Sequence, residues 1–136
     1  MLQWCPYCNI ELKSLQSHQD EFEKLSAAMV AITPETPDNS LSTSEKNDLN
    51  FEVLTDENSK IAKEVGLAFT LPDNLKPLYK SFGIDVEKHN GSGEFDLPVP
   101  ATYVLNREGV VQYRFVDVDY TVRLDPKEIV DFLKKH

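Results

Sequence analysis

The sequence predicts an α/β fold, a three-layer α/β/α sandwich of helices on a mixed sheet, from three observations. Cys8, Leu12, Leu15, Phe22 and Leu25 recur at helical spacing with polar residues between them. Ala27-Ala28-Met29-Val30-Ala31-Ile32 then forms a nearly continuous apolar run, the pattern of a strand buried on both faces of a parallel sheet. Near the end, two strand-like segments flank Asn106-Arg107-Glu108-Gly109 as an antiparallel hairpin that leads into a helix. Helices separating buried strands, closed by a hairpin and a helix, define the mixed layered class. The 136 residues suit one domain, 1–136, built on one core.

Each element has its own signal. Pro6 suits the first turn of a helix, where its missing N–H has no partner to lose, and the first helix is expected from about Pro6 to about Glu23. Thr33-Pro34-Glu35-Thr36-Pro37 ends the apolar run, and Ser42 and Glu45 stand at capping-box spacing ahead of a short polar helix. Phe51-Glu52-Val53-Leu54 is a short strand. Ile61, Ala62 and Val65 share a helical face that Gly66 terminates, and Leu75, Leu78, Tyr79 and Phe82 form another such stripe before Gly83. The polar span 85–96, with Asn90-Gly91-Ser92-Gly93, reads as a mobile surface loop. Ala101–Leu105 and Val110–Val116 are the hairpin strands. Asp125-Pro126-Lys127-Glu128 supplies an N-cap, a first-turn proline and a capping glutamate to the last helix, whose core face is Ile129, Val130, Phe132 and Leu133.

Composition narrows the function. The chain carries 23 acidic against 14 basic side chains, a formal charge of −9, which argues against nucleic acid or an anionic membrane as partner. No apolar run approaches the roughly 20 residues that span a bilayer, and the N-terminus lacks the features of a signal peptide. The expected location is cytoplasmic. In that compartment a Cys-x-x-Cys pair is catalytic or metal-binding more often than a structural staple.

Both cysteines, Cys5 and Cys8, stand in Trp4-Cys5-Pro6-Tyr7-Cys8 at the mouth of the first helix. A free cysteine titrates near a pKa of about 8.5, and unpaired N–H groups with the positive end of a helix dipole favour its thiolate. A second thiol one turn away can attack the resulting sulfenic acid or mixed disulfide and close an internal disulfide. Zinc is the rival use, but His18, His89 and His136 show no paired spacing that would complete four ligands, so no metal or other cofactor is expected beyond the Cys5–Cys8 disulfide itself. His18, ten residues past Cys8, reads as a surface residue. Trp4 and Tyr7 border the motif as active-site support. Glu11 falls on the exposed face of the helix and reads as solvated, with tuning of a thiol by its charge as the alternative; Arg123 reads as a surface or capping arginine, with a cationic role at the thiols as the alternative.

Three stretches, Trp4-Cys5-Pro6-Tyr7-Cys8-Asn9-Ile10-Glu11-Leu12, Ile32-Thr33-Pro34-Glu35-Thr36 and Val99-Pro100-Ala101-Thr102-Tyr103-Val104-Leu105-Asn106-Arg107-Glu108-Gly109, resemble in order and spacing the peroxiredoxin-like branch of the alkyl hydroperoxide reductase and thiol-specific antioxidant family. The resemblance covers almost the whole chain. It implies a thioredoxin-like fold and an antioxidant oxidoreductase, a thiol peroxidase that cycles Cys5 and Cys8 between dithiol and disulfide, with a peroxide as substrate and an external thiol reductant of thioredoxin or glutathione type. It leaves a homodimer open. A thioredoxin-like protein-disulfide reductase is the alternative, and a redox-inactive, partner-completed binding module is a third reading.

Two departures bear on these expectations. Relatives lead into the motif through an apolar central strand, whereas only Met1-Leu2-Gln3 precede Trp4, so the fold is expected to lack that strand and the natural product to start further upstream. Aligned as a thioredoxin, Cys5 attacks; aligned as a peroxiredoxin, Cys8 does. In the peroxiredoxin pattern an arginine precedes the late strand, where this chain has Pro100. A proline there matches the cis-proline that docks substrate in thioredoxins, so Val99–Pro100 is expected in the cis form as active-site support alongside Pro6.

Overall fold

The computed structural model describes residues 5–81 and 96–136. The first helix begins as the sequence anticipates, at Pro6, but it divides. Helix α1 spans Pro6–Ser17 and α2 spans Gln19–Lys24, with His18 between them at φ −103° and ψ 6°. The imidazole Nδ1 lies 2.9 Å from the Ser14 carbonyl oxygen and 3.1 Å from Ser17 Oγ, which holds the side chain against its own helix end. The apolar stripe nevertheless continues across the break. Leu12 is fully buried on α1 and Phe22 is buried on α2.

Strand β1, Val30–Thr33, is shorter than the apolar run and is buried on one face only. Ala31 and Thr33 point inward, while Val30 and Ile32 are 51% and 44% exposed. It pairs in parallel with β2, Glu52–Thr55, in the register Val30 to Glu52 through Thr33 to Thr55. Helix α3, Pro37–Lys46, connects them. Its cap is not the Ser42–Glu45 pair, which lies inside the helix. Thr36 is the N-cap, its hydroxyl accepting from the Asn39 N–H, and Pro37 takes the first turn.

After β2, the Asp56 carboxylate accepts the N–H groups of Ile61 and Ala62 at 2.8 and 3.0 Å and so starts α4, Lys60–Glu64, behind a single 3₁₀ turn. Gly66, at φ +76°, stops that helix in the left-handed region that favours glycine. Two short strands with no signal in the sequence follow: β3, Ala68–Thr70, pairs antiparallel with β4, Asp96–Pro98. Helix α5, Lys76–Ser81, holds the Leu78–Tyr79 part of the predicted stripe. Phe82, Gly83 and most of the expected loop at 85–96 lie outside the described residues.

The hairpin is β5, Ala101–Leu105, with β6, Val111–Val116. Gly109 takes φ +82° at its turn, and the Asn106 carboxamide oxygen accepts from the Glu108 and Val110 N–H groups. Helix α6, Pro126–Lys135, is capped by the Asp125 carboxylate, which accepts the Lys127 N–H at 2.9 Å.

Parallel and antiparallel pairing thus coexist, as a mixed α/β fold requires, and the described strands form three two-stranded ladders. What joins them is apolar packing. Leu12, Ala31 and Phe51 form one cluster under α1, β1 and β2. Phe22, Leu124, Ile129 and Val130 form another beneath the hairpin and α6, and Leu15 and Met29 pack against both. A third cluster holds both cysteines with Leu71 and Leu97, and Leu75 and Tyr79 pack against it. No helix among the described residues is long and apolar enough to cross a membrane.

Candidate active site

Helix α1 has a cysteine as its N-cap. Cys5 sits in extended backbone at φ −90° and ψ 113°, and its Sγ accepts the Cys8 backbone N–H at 3.5 Å, in the role a serine or aspartate oxygen more often plays. Its carbonyl oxygen accepts both the Asn9 backbone N–H at 3.1 Å and Asn9 Nδ2 at 2.9 Å. Asn47 Nδ2, from the end of α3, donates to Asn9 Oδ1 at 2.9 Å and ties this first turn to the next layer. Pro6 is exposed at the first helical position, and Tyr7 is 41% exposed. Trp4 lies outside the described residues.

Both thiols are free and buried, Cys5 to 5% and Cys8 to 3% exposure. Leu71 and Leu97 wall them off from water, so the interactions of any charge on sulfur are stronger than at an open surface. The two thiols are driven apart. The Cys5 thiol hydrogen-bonds to the Cys8 sulfur, and this interaction lowers Cys8 from its ordinary 9.0 to about 5; burial opposes the shift, and Arg123 adds to it. The same bond, burial and the charge on Cys8 all push Cys5 upward. The arrangement therefore favours the thiolate on Cys8 over one on Cys5.

The expectation that Glu11 is exposed and solvated is overturned, as is the reading of Arg123 as a surface or capping residue. Glu11 follows Cys8 by three residues and shares its helical face. Arg123 reaches this face from the segment after β6, pairing Nη1 with Glu11 Oε2 and placing Nη2 3.3 Å from Cys8 Sγ, while its Nε donates to the Tyr120 carbonyl oxygen at 2.8 Å. The side chains of Arg123 and Glu11 are only 12% and 9% exposed. Burial raises the Glu11 carboxyl above the usual carboxylate range, and Arg123 works against that rise. Tyr7 packs edge-on against Tyr120 at 5.6 Å, a further contact between α1 and this segment.

The late proline differs from expectation. The Val99–Pro100 bond is trans. The Val99 N–H donates to the Leu67 carbonyl oxygen at 2.7 Å, which extends the β3–β4 ladder, and Pro100 is half-buried where that ladder passes into β5. An extended backbone with its amide in a ladder accommodates a trans bond. The strand end expected to reach the thiols through Pro100 reaches them through Leu97.

An α/β frame carrying a buried Cys-x-x-Cys pair at a helix tip, with an arginine beside one sulfur, defines a thiol protein of thioredoxin-like fold. Within that class, the model of the AhpC/TSA family matches residues 1–114, and the chain belongs to that family. It is 29% identical over 126 residues to a chloroplastic peroxiredoxin Q of Populus jackii, covering 93% of this chain and 46% of that protein. A second relative, a peroxiredoxin named bcp from Helicobacter pylori, is 26% identical over 116 residues, covering 83% of this chain and 63% of that one. The chain thus spans less than two thirds of the length of either relative. Among solved structures, peroxidoxin BcpB of Mycobacterium tuberculosis superposes with a TM-score of 0.71 over 97% of this chain and 72% of that one, at 15% identity, a likeness of fold.

Proposed function

We propose that the chain is an antioxidant thiol peroxidase in which Cys8 attacks and Cys5 resolves. The observation that carries this reading is the division of charge at the helix tip, with Cys8 lowered to about 5 and Cys5 pushed the other way. The peroxiredoxin relatives support peroxide as the substrate class. In the first step the Cys8 thiolate attacks one peroxide oxygen, the O–O bond breaks, and Cys8 becomes a sulfenic acid while the departing oxygen takes a proton. Cys5 then loses its proton and attacks the Cys8 sulfur. The S–O bond breaks, water leaves, and a Cys5–Cys8 disulfide remains. An external dithiol reduces that disulfide and is itself oxidised. Pro6, Tyr7, Leu71 and Leu97 frame the pair.

The disulfide-reductase alternative drew support from a cis Pro100 and from the lack of an arginine before the late strand; with that bond trans, it rests on the missing arginine and the Cys-x-x-Cys pair. Turnover of peroxide by the reduced protein, supplied with a dithiol, tests the proposal. Cys8→Ser is expected to abolish peroxide consumption. Cys5→Ser is expected to stop the cycle after one equivalent with a sulfenic acid on Cys8, detectable by mass after dimedone labelling. A Cys8→Ser variant that retains turnover rejects Cys8 as the attacker.

A further inference from the structure

Helix α3 turns a polar stripe to the interior: Ser40, Thr43 and Asn47 are buried, while its leucine, Leu41, is 60% exposed. Asn47, the C-cap of that helix, makes the hydrogen bond that reaches the active site. We propose that Asn47, acting through Asn9, is a positioning residue for Cys5: the two carboxamides hold the resolving cysteine over Cys8 and so speed closure of the disulfide. The proposal rests on Cys8 attacking and Cys5 resolving.

The bridge has a direction. Asn47 Nδ2 donates to the Thr43 carbonyl oxygen and to Asn9 Oδ1, each at 2.9 Å. Asn9 Nδ2 in turn donates to the Cys5 carbonyl oxygen at 2.9 Å, beside the Asn9 backbone N–H at 3.1 Å. Turning the Asn47 amide over would set its oxygen against two acceptors, so the orientation is fixed. A relay from an N–H to a carbonyl needs a side chain that accepts at one end and donates at the other, as the Asn9 carboxamide does. Asn47 Oδ1 is left buried with no partner among the described residues, a cost that an apolar side chain of similar size would avoid. An asparagine that only ended α3 would need its bond to Thr43; the bond to Asn9, 38 residues away in sequence, serves another task.

That task falls on Cys5. Cys8 lies inside α1, one turn before the fully buried Leu12, and the helix sets its place. Cys5 precedes the helix in extended backbone, and its hold on α1 is the carbonyl that Asn9 grips together with Sγ on the Cys8 N–H at 3.5 Å. With the carbonyl fixed, the attacking sulfur stays beside the turn that carries its target. Proximity of this kind is worth orders of magnitude in rate. It also decides a competition. The other fate of a Cys8 sulfenic acid is reaction with a second peroxide, in which another O–O bond breaks and a sulfinic acid forms. A held Cys5 reaches the sulfur first.

The test uses no peroxide, so it separates this inference from the peroxidase proposal. Reduced protein is mixed with one equivalent of methyl methanethiolsulfonate. The Cys8 thiolate attacks the methylthio sulfur, methanesulfinate leaves, and Cys8 carries a mixed disulfide. Cys5 then loses its proton and attacks the Cys8 sulfur, methanethiol leaves with a proton, and the Cys5–Cys8 disulfide remains. Rapid acid quenching and intact mass follow the two steps, and peptide mass locates the adduct. Asn47→Leu, which keeps the volume and removes the donor, is expected to form the adduct at the parental rate and to close it about tenfold more slowly. Asn47→Asp, of the same shape without the N–H, and Asn9→Ala, which removes the relay, should show the same split between steps. Closure at the parental rate in these variants overturns the proposal. So does an equal change in both steps, the mark of a site that has merely loosened. An adduct on Cys5 in place of Cys8 overturns the order of attack and the bridge's role together. A parent that consumes no peroxide while closure is slowed in the variants rejects the peroxidase reading alone.

Discussion

At the scale of single residues, the chemistry depends on a difference between two thiols that share one helical turn. Cys8 is lowered chiefly by the hydrogen bond from Cys5, and Cys5 is raised by the same bond. A consequence appears in stability. A thiol whose folded pKa lies below its unfolded value adds stability that is complete above the unfolded value, near 9, and is lost as pH falls through the folded value, about 5. The reduced protein should therefore gain stability toward urea as pH rises from about 5 to about 8, and Cys8→Ala should flatten that slope. Parallel slopes in the parent and the variant would place the thiolate elsewhere. The pair and its place at a helix mouth were legible from Cys5-Pro6-x-Cys8. The partners of the thiolate were not. Glu11 and Arg123 are 112 residues apart in sequence, and a contact of that range leaves no local pattern. Glu11 reads as solvated because a charged residue on a helix normally is; here Arg123 satisfies it in a buried position.

At the scale of elements, α1 carries the site because its inner face is anchored. Leu12, one turn after Cys8, is fully buried against Ala31 and Phe51, so the helix tip is fixed relative to β1 and β2. Leu12→Ala leaves a cavity that this surround can only partly fill, and it should cost about 2–5 kcal/mol in urea unfolding while leaving the slope of the transition unchanged. A cost under about 1 kcal/mol would mean that α1 is held mainly by its polar ties to Asn47 and Arg123. Strong local signals predicted part of the structure: the proline starts of α1 and α6, the Asn106–Gly109 turn, the Gly66 stop. The misses have physical causes. His18 interrupts α1 with neither glycine nor proline, and the apolar stripe runs on through it. Strands β3 and β4 are three residues each, too short for periodicity, and exist through pairing with each other. Ser42 and Glu45 have capping spacing, but Thr36-Pro37 offers the same chemistry earlier in the chain and forms the cap.

At the scale of the molecule, the thiol pair sits where three parts of the chain meet. The tip of helix α1 supplies the sulfurs and Glu11; β4, α5 and the segment between β3 and α5 supply the apolar wall; the segment between β6 and α6 supplies Arg123. The family match extends to the hairpin, and the arginine comes from beyond it. The α/β class was readable because alternating helices and strands fix it, and the cluster composition was not, since Leu15 and Met29 serve two clusters at once. Together these parts hold the Cys8 sulfur beside Arg123 within an apolar wall. The decisive experiment mixes the fully reduced protein rapidly with hydrogen peroxide, in a single turnover at neutral pH and without added reductant. Oxidation should run orders of magnitude faster than that of free cysteine and end in one Cys5–Cys8 disulfide per chain, with the rate lost in Cys8→Ser. Oxidation no faster than free cysteine, or an unchanged rate in Cys8→Ser, would refute the role of Cys8.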